Sequence, residues 1–289
     1  MFRTILIADS GKGHVEEMAR MMRDVPAFNA ARFNLLHVIP DQSKQSLEDH
    51  MREGGAMLAR AVSSLGLDPS HVNTILRQGD TKQTVLKVAA EINADLIVMG
   101  SRGLGRLQSI LANSASQYVF QLSTRPMLLV RDDLYVRHLN HLMVALDGTE
   151  VGDHALREAC ELVRGIPGGR LSAVHVGSSE VAPSRGGTTP ADRLLRDAVS
   201  KARRQGVELE TLQRSGDTAR EICLAATDAN CDLLVIASPD RRPSVATGLV
   251  DLDKLLGTSV SDYVRVKAPC ANRKGCASEV PTVVGRRPI

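Results

Sequence analysis

Ala94-Asp95-Leu96-Ile97-Val98-Met99-Gly100-Ser101-Arg102-Gly103-Leu104-Gly105, continued at Asn113-Ser114-Ala115-Ser116, is the stretch from which the fold can be read. The run Leu96 to Met99 has no polar alternation, which marks a strand buried on both faces, as in a parallel sheet. The glycines and serines after it form a loop at that strand's carboxyl end, where open α/β sheets bind ligands. Gly100 and Gly103 let the main chain approach a ligand closely. Ser114 and Ser116 stand where Gln117-Tyr118-Val119-Phe120-Gln121-Leu122 starts a helix with free N–H groups. Such a helix start attracts phosphate.

Working outward, residues 3–9 read as a buried strand, and Ser10-Gly11-Lys12-Gly13 as a turn into a helix. That helix carries Val15, Met18, Ala19 and Met22 on one apolar face and ends before Pro26. Strands follow at 33–39 and 72–77, with a helix over 43–65 between them. The turn Gly79-Asp80-Thr81 leads into a helix buried through Val85, Val88, Ala89 and Ile92, and Arg125-Pro126-Met127-Leu128-Leu129-Val130 supplies a fifth strand. Alternating strands and helices with short connections predict a mostly parallel sheet covered on both faces.

The same text then starts again. Asp9 recurs as Asp147 and Leu36-His37-Val38 as Val174-His175-Val176, each 138 residues on. Gly79-Asp80-Thr81 recurs as Gly216-Asp217-Thr218, and Val85, Val88, Ala89 and Ile92 as Ile222, Ala225, Ala226 and Ala229, each 137 residues on. The repeating unit is a whole domain: residues 1–133, a linker at 134–140, a second domain at 141–270 and a basic tail at 271–289. In this register Cys160 falls at Met22, Cys223 at Leu86 and Cys231 at Ala94, which makes these cysteines small core residues. His37 and His175, paired on a strand without an acidic orienting partner, read as structural.

Composition agrees with two soluble globular domains: 289 residues, 43% hydrophobic and 24% charged. The net charge of +3 is spread along the chain and aromatic content is 2% with no Trp, so neither a nucleic-acid footprint nor a membrane patch is expected. Five scattered cysteines without a C-x-x-C pair or histidines at ligand spacing predict no metal site and fit a reducing compartment. The apolar N-terminal run is too short for a signal peptide, and the expected location is cytoplasmic.

At this point the residues resemble the universal stress protein family in its tandem form, over essentially residues 1–270. The resemblance rests on the strand ending in Asp9 or Asp147, the L-H-V strand, the G-D turn, A-D-L-I-V-M-G-S-R-G-L-G followed by S-x-S, and Ala268-Pro269-Cys270 in the second half. It implies two Rossmann-like (adenine nucleotide alpha hydrolase-like) domains, each a five-stranded parallel sheet with helices on both faces. It also implies domain pairing through the last strands and a homodimer. In the nucleotide-binding branch it implies ATP, with or without Mg2+, held by Gly-x-x-Gly, nine residues, then Gly-Ser or Gly-Thr. The first half has Gly100 and Gly103, but Asn113 stands for the later glycine, ahead of Ser114. Asn tolerates left-handed backbone angles, yet its amide occupies space a phosphate oxygen needs. By resemblance Asp9 sits beside the nucleoside, Val38 offers backbone groups to adenine, Met99 and Gly100 line the ribose, and Gly103, Ser114, Ala115 and Ser116 hold phosphates. Arg102 adds charge.

The second half is worn at the same place: Ala237 replaces Gly100, and Ser238-Pro239-Asp240-Arg241-Arg242-Pro243 replaces the glycine turn. Proline donates no N–H, so that turn cannot wrap phosphate. Gly257, Thr258, Ser259 and Ser261 remain as an anion site at a helix start, with Asp147 and Val176 at the nucleoside positions. After Cys270 the expected apolar strand is absent, leaving residues 280–284 as a weak, proline-interrupted substitute and the tail loose. Gly11-Lys12-Gly13-His14 lacks the G-x-x-x-x-G-K motif of P-loop enzymes, and no nucleophile with a base and orienting partner is visible. The sequence therefore favours an ATP-binding stress regulator with a competent first domain, a degenerate second one and at most slow ATP hydrolysis. A nucleotide-independent scaffold that works by oligomerisation is the alternative.

Overall fold

The computed structural model describes residues 2–9, 22, 25–41, 47–66, 68–101, 114–131, 138–177, 189–237, 260–268 and 282–285. They form two compact units that part between Asp133 and Leu134.

In the first unit the strands are β1 (Thr4–Asp9), β2 (Arg32–Ile39), β3 (Val72–Gln78), β4 (Leu96–Ser101) and β5 (Met127–Arg131), in the spatial order β3-β2-β1-β4-β5 and all parallel. The helices are α1 (Leu47–Leu65), α2 (Thr81–Glu91) and α3 (Ala115–Leu122). The interior strands carry fully buried runs, Ile5-Leu6-Ile7 and Leu96-Ile97-Val98, as expected where helices cover both faces. The edge strand β3 has no buried residue: Val72, Ile75 and Leu76 are half-buried and the rest exposed.

The second unit repeats this plan with β6 (His141–Ala145), α4 (Glu150–Val163), β7 (Arg170–Gly177), α5 (Pro190–Arg204), β8 (Leu209–Ser215), α6 (Thr218–Asp228), β9 (Leu233–Ala237), α7 (Val260–Lys267) and β10 (Thr282–Gly285). Its order is β10-β9-β6-β7-β8, again parallel. The fifth strand of this unit falls on Thr282–Gly285, within the weak substitute that the sequence offered at 280–284, and runs beside Leu234–Ala237. Two adjacent valines after a threonine suit a pleated backbone, and Pro281 precedes the ladder rather than interrupting it.

The Gly-Asp-Thr turns have a local cause. Gly79 and Gly216 adopt φ of +143° and +130°, angles that favour glycine. Asp80 and Asp217 then cap α2 and α6 by accepting the N–H groups of Gln83 and Arg220 at 3.0 and 2.9 Å. Both helices bury the predicted face except at its last position: Ile92 and Ala229 are C-cap residues and only half-buried. Asn93 and Asn230 follow them in left-handed conformation and turn the chain toward the next strand. Met22, Cys160, Cys223, Ala94 and Cys231 are all buried, whereas Leu86, the counterpart of Cys223, is half-buried.

Candidate nucleotide site at the strand-order reversal

In the first unit the chain leaves β1 toward β2 on one side, and β4 leads to β5 on the other, so the strand order reverses between β1 and β4. A crevice opens outside the carboxyl ends of strands at such a point. Asp9 ends β1 opposite His37, and Ala8 lies opposite Met99. Peptide groups along a parallel strand face its two neighbours alternately. The carbonyl of Ile39 accepts the N–H of Gly79 on the β3 side, so the peptide groups of Val38 face the β1 side, one residue beyond the end of the β1 ladder. Met99 is buried and Gly100 half-buried, paired with Val130. Arg102, Gly103 and Asn113 lie outside the described residues.

In the crossover from β4 to β5, α3 runs against the strand direction, so its first turn lies at the carboxyl edge. Ser114 is the N-cap, with Oγ accepting the N–H of Gln117 at 3.2 Å and standing 3.3 Å from Ser116 Oγ. The helix buries two polar residues in its first turn, Ser116 and Gln117, and two apolar ones, Val119 and Phe120, in its second. The apolar end holds it in the unit, and Lys82 on α2 places Nζ 5.6 Å over the Tyr118 ring. The first turn is thus left as a polar, enclosed end. The sequence reading stopped at Ser116 and missed Gln117, whose Oε1 is buried without a hydrogen-bond partner. The signal was its spacing, since Gln117 shares a helix face with Phe120, three residues on.

At the carboxyl edge of the second unit the loop after β6 is described in full. Asp147 Oδ1 accepts the N–H and the hydroxyl of Thr149 at 2.9 and 2.7 Å, and Thr149 Oγ1 in turn accepts the N–H of Gly152 at the start of α4. A Cβ on Gly152 would lie 2.6 Å from that carboxylate oxygen, and one on Gly148 2.9 Å from Leu194 Cδ1, so the loop is closed on its own side chains. Val176 is half-buried opposite Arg214, and Ser261 is buried in α7. Gly257, Thr258 and Ser259 lie outside the described residues. His175 Nδ1 donates to the Leu146 carbonyl at 2.8 Å, a structural bond, as the strand pairing suggested.

A matched pair of carboxylates also escaped the sequence reading. Asp95 Oδ2 accepts the N–H groups of Arg3 and Thr4 at 2.8 and 2.9 Å. In the second unit, 137 residues on, Asp232 Oδ2 does the same for Asn140 and His141 at 2.9 and 2.8 Å. Each clasps the start of a central strand. Beside it His141 donates from Nδ1 to the Ala229 carbonyl at 3.0 Å and meets Ser172 Oγ at 2.9 Å through Nε2. Among the described residues no group of three or more His, Cys, Asp or Glu side chains could hold a metal ion, and no helix is long and apolar enough to cross a membrane.

The model of the universal stress protein family matches residues 1–131 and again 138–271. The chain belongs to that family. Each match spans one unit, so the protein is a tandem universal stress protein. A universal stress protein of Thermus aquaticus is 32% identical over 139 residues, 45% of this chain and all of its own length. A crystal structure of a universal stress protein from Archaeoglobus fulgidus DSM 4304 covers 98% of this chain and 96% of its own, with a TM-score of 0.73 at 22% identity, and shares the tandem fold. Another universal stress protein from Archaeoglobus fulgidus, solved in complex with dAMP, covers 45% of this chain and 97% of its own at 18% identity and a TM-score of 0.33. The dAMP belongs to that protein.

Proposed function

We propose that this chain is a nucleotide-binding stress-response regulator in which the first unit takes ATP and the second serves as its partner. The observation that carries this reading is the convergence of three strand ends, at Asp9, Val38 and Met99-Gly100, with the buried polar first turn of α3. Main-chain groups at the end of the β1 ladder suit the edge of a flat base. A helix start with two hydroxyls and free N–H groups suits phosphate oxygens. Gly103 and Asn113 are assigned to the bend that follows the phosphates, and Arg102 to charge neutralisation. In the second unit, the Asp147 carboxylate oxygen already engaged by Thr149 and the prolines at 239 and 243 both favour a degenerate role.

The test is calorimetry with ATP, ADP, AMP and adenosine on the full chain and on Gly103→Val. The reading expects one ATP per chain, weaker binding as phosphates are removed, and loss of binding in the variant because the added side chain blocks backbone approach. Unchanged affinity in Gly103→Val, or no heat with any nucleotide, overturns it. In the second case, a concentration-dependent dimer would favour a nucleotide-independent scaffold.

A further inference from the structure

Among the described residues two buried side-chain oxygens have no hydrogen-bond partner, Gln117 Oε1 and Glu158 Oε2. The second belongs to a carboxylate whose other oxygen lies 3.3 Å from His154 Nε2. The first stands at the candidate site with nothing to compensate it. Gln117 is 6% exposed and is the third residue of α3. Helical side chains slant toward the N-terminus, which directs its carboxamide back along the first turn, the turn that Ser114 caps. A glutamine there can bond the N–H of the N-cap residue, but Oε1 does not do so here. An enclosed carbonyl oxygen without a donor is costly, and an apolar residue of the same size would avoid the cost. A donor that arrives with a ligand would satisfy it.

We infer that Gln117 Oε1 accepts a hydrogen bond from an O–H group that arrives with the nucleotide, which makes Gln117 a ligand-reading residue of the first unit. This rests on the nucleotide reading of that unit. Phosphate oxygens carry no proton to donate at neutral pH. The O–H donor has two sources, a ribose hydroxyl or a water held by a divalent cation on the phosphates, and the chemistry at Oε1 is the same for both.

The experiment is calorimetry on the wild-type chain and on Gln117→Met with three titrants: ATP with Mg2+, 2′,3′-dideoxy-ATP with Mg2+, and ATP in EDTA. Wild type should bind the first about three- to tenfold more tightly than one of the other two, the range expected for one hydrogen bond. In Gln117→Met that advantage should vanish. Loss of discrimination against the dideoxy nucleotide identifies the ribose hydroxyl, and loss of discrimination against EDTA identifies the cation-bound water. The unliganded Tm of the variant should equal or exceed that of wild type, because an uncompensated acceptor has been removed. Equal affinities of wild type for all three titrants overturn the inference. An equal loss for all three in the variant also overturns it, by assigning the amide nitrogen to a phosphate oxygen. A clear fall in the variant's unliganded Tm overturns it by revealing a structural partner. If wild type binds none of them, the nucleotide reading itself fails and takes the inference with it.

Discussion

Replacing Asp232 by alanine should destabilise the second unit far more than an exposed carboxylate would suggest. Its Oδ2 holds two main-chain N–H groups, those of Asn140 and His141, at the entrance to the central strand β6. Asn140 is exposed, so water replaces its bond at small loss. His141 is 4% exposed, and its N–H would lose a charged acceptor that water cannot reach. Hydrogen bonds to charged groups contribute about 1.5–3 kcal/mol each when shielded, which puts the total near 2–4 kcal/mol. For a unit of this size the Tm should fall by roughly 5–10 °C. Asp232→Asn retains one acceptor oxygen and should lose about half as much. Asp95→Ala is the same experiment in the first unit, on Arg3 and Thr4. The comparison is Asp228→Ala, which breaks an ion pair with Arg214 at 2.7 Å between side chains 57% and 34% exposed; solvent screening limits that loss to about 0–1 kcal/mol. Differential scanning calorimetry and urea titration measure all four. If Asp232→Ala costs no more than Asp228→Ala, the clasp does not contribute as argued.

His141 should make the second unit acid-sensitive. Burial, reinforced by the Arg170 guanidinium and opposed by the Ala229 carbonyl, Glu210 and Asp232, holds its pKa below the ordinary histidine value. With the folded pKa the lower of the two, the contribution is complete above the unfolded value of about 6.5 and is lost as pH falls through the folded one, at up to about 1.4 kcal/mol per pH unit. His141→Thr, which installs the residue found at the equivalent Thr4, should flatten urea-derived stability below pH 6.5; an unchanged slope refutes the assignment. Gly79→Ala and Gly216→Ala should each cost about 1–3 kcal/mol by denaturant titration. The loss should be larger at Gly79, where the new Cβ meets Thr84 Oγ1 at 3.1 Å, against 3.5 Å to the nearest atom at Gly216, and wild-type stability in either variant contradicts the angles. Burial pushes the Cys160 thiol up to about 11, so iodoacetamide at pH 8 should spare the Cys160 peptide in native protein and modify it after unfolding. Rapid native labelling, mapped by mass spectrometry, would show the burial to be wrong.

The repeat made most of the fold legible, because each of the five strands appears twice and a coincidence in one half is checked by the other. Strand runs such as Leu96 to Met99 and Leu233 to Ile236 announce burial on both faces through their lack of alternation. The Gly-Asp-Thr turns announce a helix start through an angle and a cap. What stayed hidden depends on single atoms or on very short ladders. Asp95 and Asp232 sit at matching places, but a carboxylate before a strand reads as an ordinary loop residue until two N–H groups are seen converging on it. Ile92 and Ala229 continue a helical period that the backbone abandons at that residue, since periodicity carries no information on capping. At the candidate site, the strand ends were visible as motif residues, whereas the orphaned oxygen of Gln117 required atomic burial to recognise.

The match to the family model ends at residue 271, eleven residues before β10 begins. A protein trimmed to that boundary would surrender the ribbon beside Leu234–Ala237 and bare the flank of that apolar stretch, leaving its amides and carbonyls unsatisfied. Such a flank recruits strands from neighbouring molecules, so the shortened protein should clump where the intact one stays dispersed.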